Sequence, residues 1–246
     1  MTTHDGAGSE GSYTVDSQDP VAVAAVNAIR TGDTTSLASL LSQHPGLVSE
    51  QIHGTRTPLH VVADWPGYFP AGPAIVHLLI DAGADPNADT QGTQAETPLH
   101  WAASSDDADV ADALISGGAN IETPGGSIGT PLDNAVGYGC WNVARLLVQR
   151  GAQVDKLWHA AALGIMPRVE ELLAATPPPS ADDITEAFWQ ACHGGQRRTA
   201  ERLLASGADL SAAPGYSDQT PAEVAAALDT QRENLVTWLH EQKQAR

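Results

Sequence analysis

Apolar residues along most of this chain recur at helical spacing. Ile75, Leu78 and Leu79 share one helix face, and so do Val143, Leu146 and Leu147. Val and Ile do not gather into alternating runs, and Ala and Leu dominate the apolar set. That balance favours helix over sheet. Aliphatic pairs are followed by a Gly-Ala turn: Leu78-Leu79 before Gly83-Ala84, Leu114-Ile115 before Gly118-Ala119, Leu146-Leu147 before Gly151-Ala152, and Leu203-Leu204 before Gly207-Ala208. The glycine fits a left-handed helix C-cap, a conformation that strains other residues. The pattern predicts short helices punctuated by glycine turns.

A second marker identifies these segments as copies of one unit. Thr57-Pro58-Leu59-His60 recurs as Thr97-Pro98-Leu99-His100, as Thr130-Pro131-Leu132-Asp133 and, degraded, as Thr220-Pro221-Ala222-Glu223. The second and third copies lie 33 residues apart. Proline suits the first turn of a helix, where its missing N–H would be unpaired anyway. Two further stretches lack the signature but keep the pattern, Leu157-Trp158-His159-Ala160-Ala161 and Phe188-Trp189-Gln190-Ala191-Cys192. Ala160-Ala161 and Ala191-Cys192 match Ala102-Ala103, and small residues there let paired helices approach closely.

On these residues the sequence resembles the ankyrin-repeat family over roughly residues 20–246. The resemblance implies an all-α solenoid of paired antiparallel helices joined by short finger loops, with about six to seven units including caps. Residues 19–246 are expected to form this domain, with a capping pair at 20–48 and the last unit at 220–246. Residues 1–18, rich in Gly, Ser, Thr and Asp, read as a disordered tail. In the family, inner helices line a concave groove and outer helices stand behind them.

Two departures from the pattern stand out. Residues 64–73 are an insertion with three prolines and two glycines, hence a shaped loop and not a longer helix. Its aromatics, Trp65, Tyr68 and Phe69, form either a hydrophobic plug over the first units or a lip over one end of the groove. Between Leu147 and Asp155 the finger is nearly absent, either as drift in a tolerant loop or as a gap that admits a ligand.

Aligned on His60, one column reads His60, His100, Asp133, Trp158, Trp189, Glu223. The family resemblance gives His60 and His100 a structural role, bonding backbone between neighbouring units. The next column, with positions one helical turn further on, shares a face that the resemblance assigns to the groove. The set is Asp64, Trp65, Trp101, Ser105, Asn134, Tyr138, His159, Gln190 and His193. Trp and Tyr join large apolar area to one polar handle, as interface anchors do.

The formal net charge of −18 removes the basic face that phosphate binding needs, which excludes nucleic acid and an anionic membrane as expected partners. It serves either solubility or attraction to a basic partner. Cys140 and Cys192, widely separated, form neither a disulfide framework nor a zinc pattern and suit a reducing compartment. No apolar run approaches membrane-spanning length, and the first residues lack the regions of a signal peptide, so the expected location is cytoplasmic. Asp106-Asp107-Ala108-Asp109 reads as charge at a helix N-terminus in preference to a calcium site. The glycine pair Gly194-Gly195 serves a turn before it serves an anion.

No cofactor or metal site is expected, and no nucleophile motif appears. Cys192 and His193, adjacent on a helix, point apart. The expected function is a non-enzymatic scaffold that recognises a protein or peptide through its groove. The competing reading is a small-molecule or catalytic groove of specialised metabolism, with His159 or His193 as base and Asp64 or Asp106 orienting it. That reading requires an accessible histidine beside a carboxylate in a closed pocket.

Overall fold

The computed structural model describes residues 19–49, 51–52, 55–90, 94–227 and 232–245. The segment read as a disordered tail, residues 1–18, lies outside the described residues.

The described residues form paired helices. α1 (Pro20–Thr31) pairs with α2 (Thr34–Gln43), α3 (Pro58–Ala63) with α4 (Gly72–Asp81), and α5 (Pro98–Ser104) with α6 (Ala108–Ser116). α7 (Pro131–Gly137) pairs with α8 (Trp141–Gln149), and α9 (Leu157–Leu163) with α10 (Met166–Leu173). α11 (Ala181–His193) pairs with α12 (Arg197–Ala205), and α13 (Pro221–Ala225) with α14 (Glu233–Gln244). Each odd-numbered helix packs on the next, from α1 to α13, and α2, α4, α6 and α8 stack behind. The result is a helical solenoid with no strand among the described residues beyond an isolated bridge between Ile52 and Arg56. Among those residues no helix is long and apolar enough to cross a membrane.

Local chemistry explains the starts and stops. Thr57, Thr97, Thr130 and Thr220 each cap an inner helix, with proline in the first turn and the third helical residue bonding back to the cap. Such a capping box satisfies backbone donors that a helix leaves unpaired, worth about 1 kcal/mol. After the outer helices, Gly83, Gly118, Gly151 and Gly207 share φ values of 99–102°, the region in which a side chain is strained. The small pairs Ala102-Ala103, Ala160-Ala161 and Ala191-Cys192 are fully buried between helices, as their size requires.

The core divides in two within α9. One apolar cluster runs from α1 through α8, the other from α9 through α14, and Val154 and Trp158 pack against both. The division falls at a short connection, residues 150–156, matched in length by residues 174–180 between α10 and α11. There the chain passes from α8 to α9 in a few residues, held by Gln153 N–H to Glu122 at 2.8 Å and Arg168 to the Val154 carbonyl at 2.7 Å.

Candidate functional site

The inner helices are tied to one another by side chains in a single column. Nδ1 of His60 accepts the Thr57 N–H at 3.1 Å, so the neutral ring carries its proton on Nε2, which donates to the Glu96 carbonyl at 2.9 Å. His100 repeats this with the Thr97 N–H and the Gly129 carbonyl, at 3.1 and 3.0 Å. Burial pushes the His60 ring down to about 4 and lowers His100 as well, so both stay neutral at pH 7. Trp189 holds the same place in a later unit, and its Nε1 donates to the Gln219 carbonyl at 2.7 Å. Glu96, Gly129 and Gln219 each precede the next Thr-Pro pair, so a different ring reaches the same backbone position.

Asp133 breaks the series. Its carboxylate caps α7 through the Thr130 N–H at 2.7 Å, and receives Lys156 and, at 2.8 Å, Nε2 of His159. Burial alone would raise this carboxyl. The bonds from His159, Lys156 and Thr130 outweigh burial and hold it well below the usual carboxylate range.

The next column departs from the expected groove lining. Asn134, His159 and Gln190 are buried, at 0–2% exposure, and are not open to the groove. Asn134 donates to Glu96 Oε1 and Ser104 and accepts the Ile128 N–H; Gln190 donates to the Tyr216 hydroxyl at 3.1 Å. The reason is depth. Small residues beside this column bring the helices so close that the neighbouring unit covers it.

The proposed acid–base pairs fare similarly. His159 meets Asp133, not Asp64 or Asp106, inside the stack. Asp64 faces Arg56 at 3.3 Å and Arg30 at 3.9 Å, although burial raises its carboxyl. Asp106 adopts φ 54° at a turn where four other units carry Gly32, Gly139, Gly164 and Gly195. From there its carboxylate takes the N–H groups of Asn142 and Val143, at 2.9 and 3.0 Å, capping α8 of the next unit. Cys140, the residue at the N-cap of α8, makes no side-chain cap bond, so Asp106 supplies it. His193 packs between Trp141 and Trp189, both 5.1 Å from its ring. Burial raises the Cys140 thiol to about 12 and pushes the Cys192 thiol up as well, so neither offers a thiolate. Among the described residues no three His, Cys, Asp or Glu side chains gather in a form that could hold a metal ion.

Other predicted residues do come together. Trp65, Trp101, Ser105 and Tyr138 line an open concavity of about 290 Å³ across three successive units, with Asp64 at its edge. Glu96 and Ser104 complete the lining, and sequence reasoning missed both. Glu96 precedes a helix, and only the fold of the finger carries its side chain back over Asn134. Trp65 is 61% and Tyr138 53% exposed. The insertion is therefore no plug. Its Tyr68 is exposed too and pins the loop to the next unit, donating from its hydroxyl to the Asp106 carbonyl at 2.6 Å. That anchorage holds the loop where Trp65 forms a wall of the concavity.

Comparison with known proteins agrees with this architecture. Residues 68–156 match the family model for ankyrin repeats (3 copies). The SH3 and multiple ankyrin repeat domains protein 2 of Homo sapiens is 34% identical over 146 residues, which cover 54% of this chain and 8% of that protein. The chain thus matches only a small part of that relative. Among solved structures, the ankyrin repeat domain of Bcl-3, described as a unique member of the IkappaB protein family, superposes with a TM-score of 0.51 at 24% identity. The match covers 88% of this chain and 97% of that one, a likeness of fold.

Proposed function

We propose that this chain, whose residues 68–156 match the ankyrin-repeat family model, is a non-enzymatic scaffold whose concave face recognises a protein or peptide partner. Ankyrin repeats typically serve protein interaction. One observation carries the reading for this chain: Trp65, Trp101 and Tyr138, from three successive units, line a single concavity, and two of the three rings are largely exposed. Large aromatic side chains held on rigid elements are the groups that dominate binding energy at protein interfaces. A small-molecule or catalytic groove finds no comparable support, because His159, its first candidate base, is buried in the stack against Asp133. The cytoplasm suits two free buried cysteines, and a net charge of −18 argues against nucleic acid.

The test is affinity capture from a lysate of the source cells, with wild type beside a Trp65→Ala/Tyr138→Ala variant. Both side chains are exposed, so the variant should melt at the wild-type temperature. A protein retained by wild type and lost by the variant supports the scaffold. Equal retention by both, or no specific protein at all, contradicts it.

A further inference from the structure

We propose that the concavity is a subsite for one cationic side chain, the guanidinium or ammonium of a basic segment of the partner, held between Trp65 and Tyr138 against the Glu96 carboxylate. This inference rests on the groove reading above and specifies its chemistry.

The anion is prepared before any ligand arrives. Glu96 Oε1 accepts the Ser127 N–H at 3.0 Å and the Asn134 amide at 3.1 Å, and Asn134 is itself fully buried. These bonds orient the carboxylate and occupy one oxygen. Among the described residues the other oxygen has no hydrogen bond, and Glu96 enters no ion pair. Asp64, by contrast, is already committed to Arg56 and Arg30.

The walls are equally prepared. The Tyr138 hydroxyl lies 2.9 Å from Ser127 Oγ, and Trp65 sits on the loop that Tyr68 anchors. Rings held in place lose little freedom on binding. The electron-rich face of an indole or phenol attracts a cation, and the chain already makes such contacts: the Arg56 guanidinium stands 4.8 Å from the Trp101 ring centre and the Lys156 ammonium 5.6 Å from that of Trp158. Trp65 and Tyr138 are the rings left uncovered.

Charge selects among occupants. No Lys or Arg is among the lining residues, and nearby Arg56 is already paired with Asp64, so an anion would meet the Glu96 carboxylate without a free cation to receive it. An apolar side chain would strip water from that carboxylate without replacing its bonds. A cation satisfies it, and the chain's acidity draws a basic segment in from a distance.

The experiment is an NMR titration of the full chain, read at the indole N–H of Trp65. The probes are acetylated Gly-Ser-Xaa-Ser-Gly amides with arginine, lysine, citrulline or leucine at the centre. Citrulline keeps the shape of arginine without its charge. The expected result is a saturable shift with arginine and lysine, at about tenfold lower concentration than with citrulline or leucine. The preference should shrink as salt rises. Glu96→Gln keeps an oxygen for Ser127 and Asn134, so it should fold normally and abolish the preference. Citrulline binding as tightly as arginine, no saturable shift with either cation, or an undiminished preference in Glu96→Gln would each overturn the inference. A captured partner that depends on Trp65 and Tyr138 but ignores Glu96→Gln would overturn the cationic subsite and leave the groove reading standing.

Discussion

His60 and His100 tie the early units together as neutral donors to a backbone carbonyl. At the junction of α7 and α9 the same place is held by Asp133, which can only accept. The structure shows the exchange to be complete. Where the column supplies an acceptor, the next unit supplies the donors, Lys156 and His159, in place of the usual Thr-Pro start. Two units further on, Trp189 restores a neutral donor and the finger returns with its carbonyl at Gln219. The difference teaches that a repeat tolerates loss of its signature when both partners of a contact change together. It also places a buried charged junction, Asp133 with His159 and Lys156, where the two apolar clusters of the core meet.

The largest test of this contrast is Asp133→Ala. It strands buried His159 and the Lys156 ammonium without their acceptor and removes the α7 cap, with an expected loss of about 4 kcal/mol in urea denaturation. A loss under about 1 kcal/mol would show the junction to be incidental.

Acid separates the two kinds of tie. The His60 ring titrates near 6.5 when unfolded and about 4 when folded, so between these values the unfolded chain binds more protons. Stability should therefore fall as pH drops from 6.5 toward 4, by about 3 kcal/mol for this group. His100 adds to the fall in the same direction. Asp133 behaves oppositely in position: its carboxyl is depressed, so its contribution persists above its unfolded value of 3.8 and is lost only as pH falls further. His60→Asn should flatten the upper part of the profile and leave the lower part. An unchanged profile would remove His60 as its source.

Trp189→Phe keeps most of the ring and deletes the donor to Gln219. The expected cost is about 1–2 kcal/mol, with Trp189→His losing less if the column accepts either ring. Smallest of all is Asp106→Gly. It relieves a strained φ worth about 1 kcal/mol and gives up a cap of about the same size, so the thermal midpoint should barely move. Asp106→Ala keeps the strain and loses the cap, and should cost about 2 kcal/mol.

The architecture was legible because each residue of the Thr-Pro-Leu-His signature has a local duty that the sequence displays. The groove was legible only in part. Trp65, Trp101, Ser105 and Tyr138 stand at positions that the family resemblance assigns to the groove, and they do line one concavity. Spacing gives the angle around a helix and not the depth, which is why Asn134, His159 and Gln190 share that angle and yet are sealed by the neighbouring unit. Glu96 was invisible for another reason: its position depends on a finger that carries no helical period. Asp106 drew notice as an acid, and its actual work depends on a left-handed turn and on the helix of the following unit.

The most direct measurement is site-specific photo-cross-linking in source cells, with a photoreactive phenylalanine analogue replacing Trp65, Tyr138 or, at the far end, the exposed Tyr216. A partner captured from the first two positions and not from Tyr216 is the expected result. Capture from Tyr216 alone would move the binding face away from the first units and contradict the proposal.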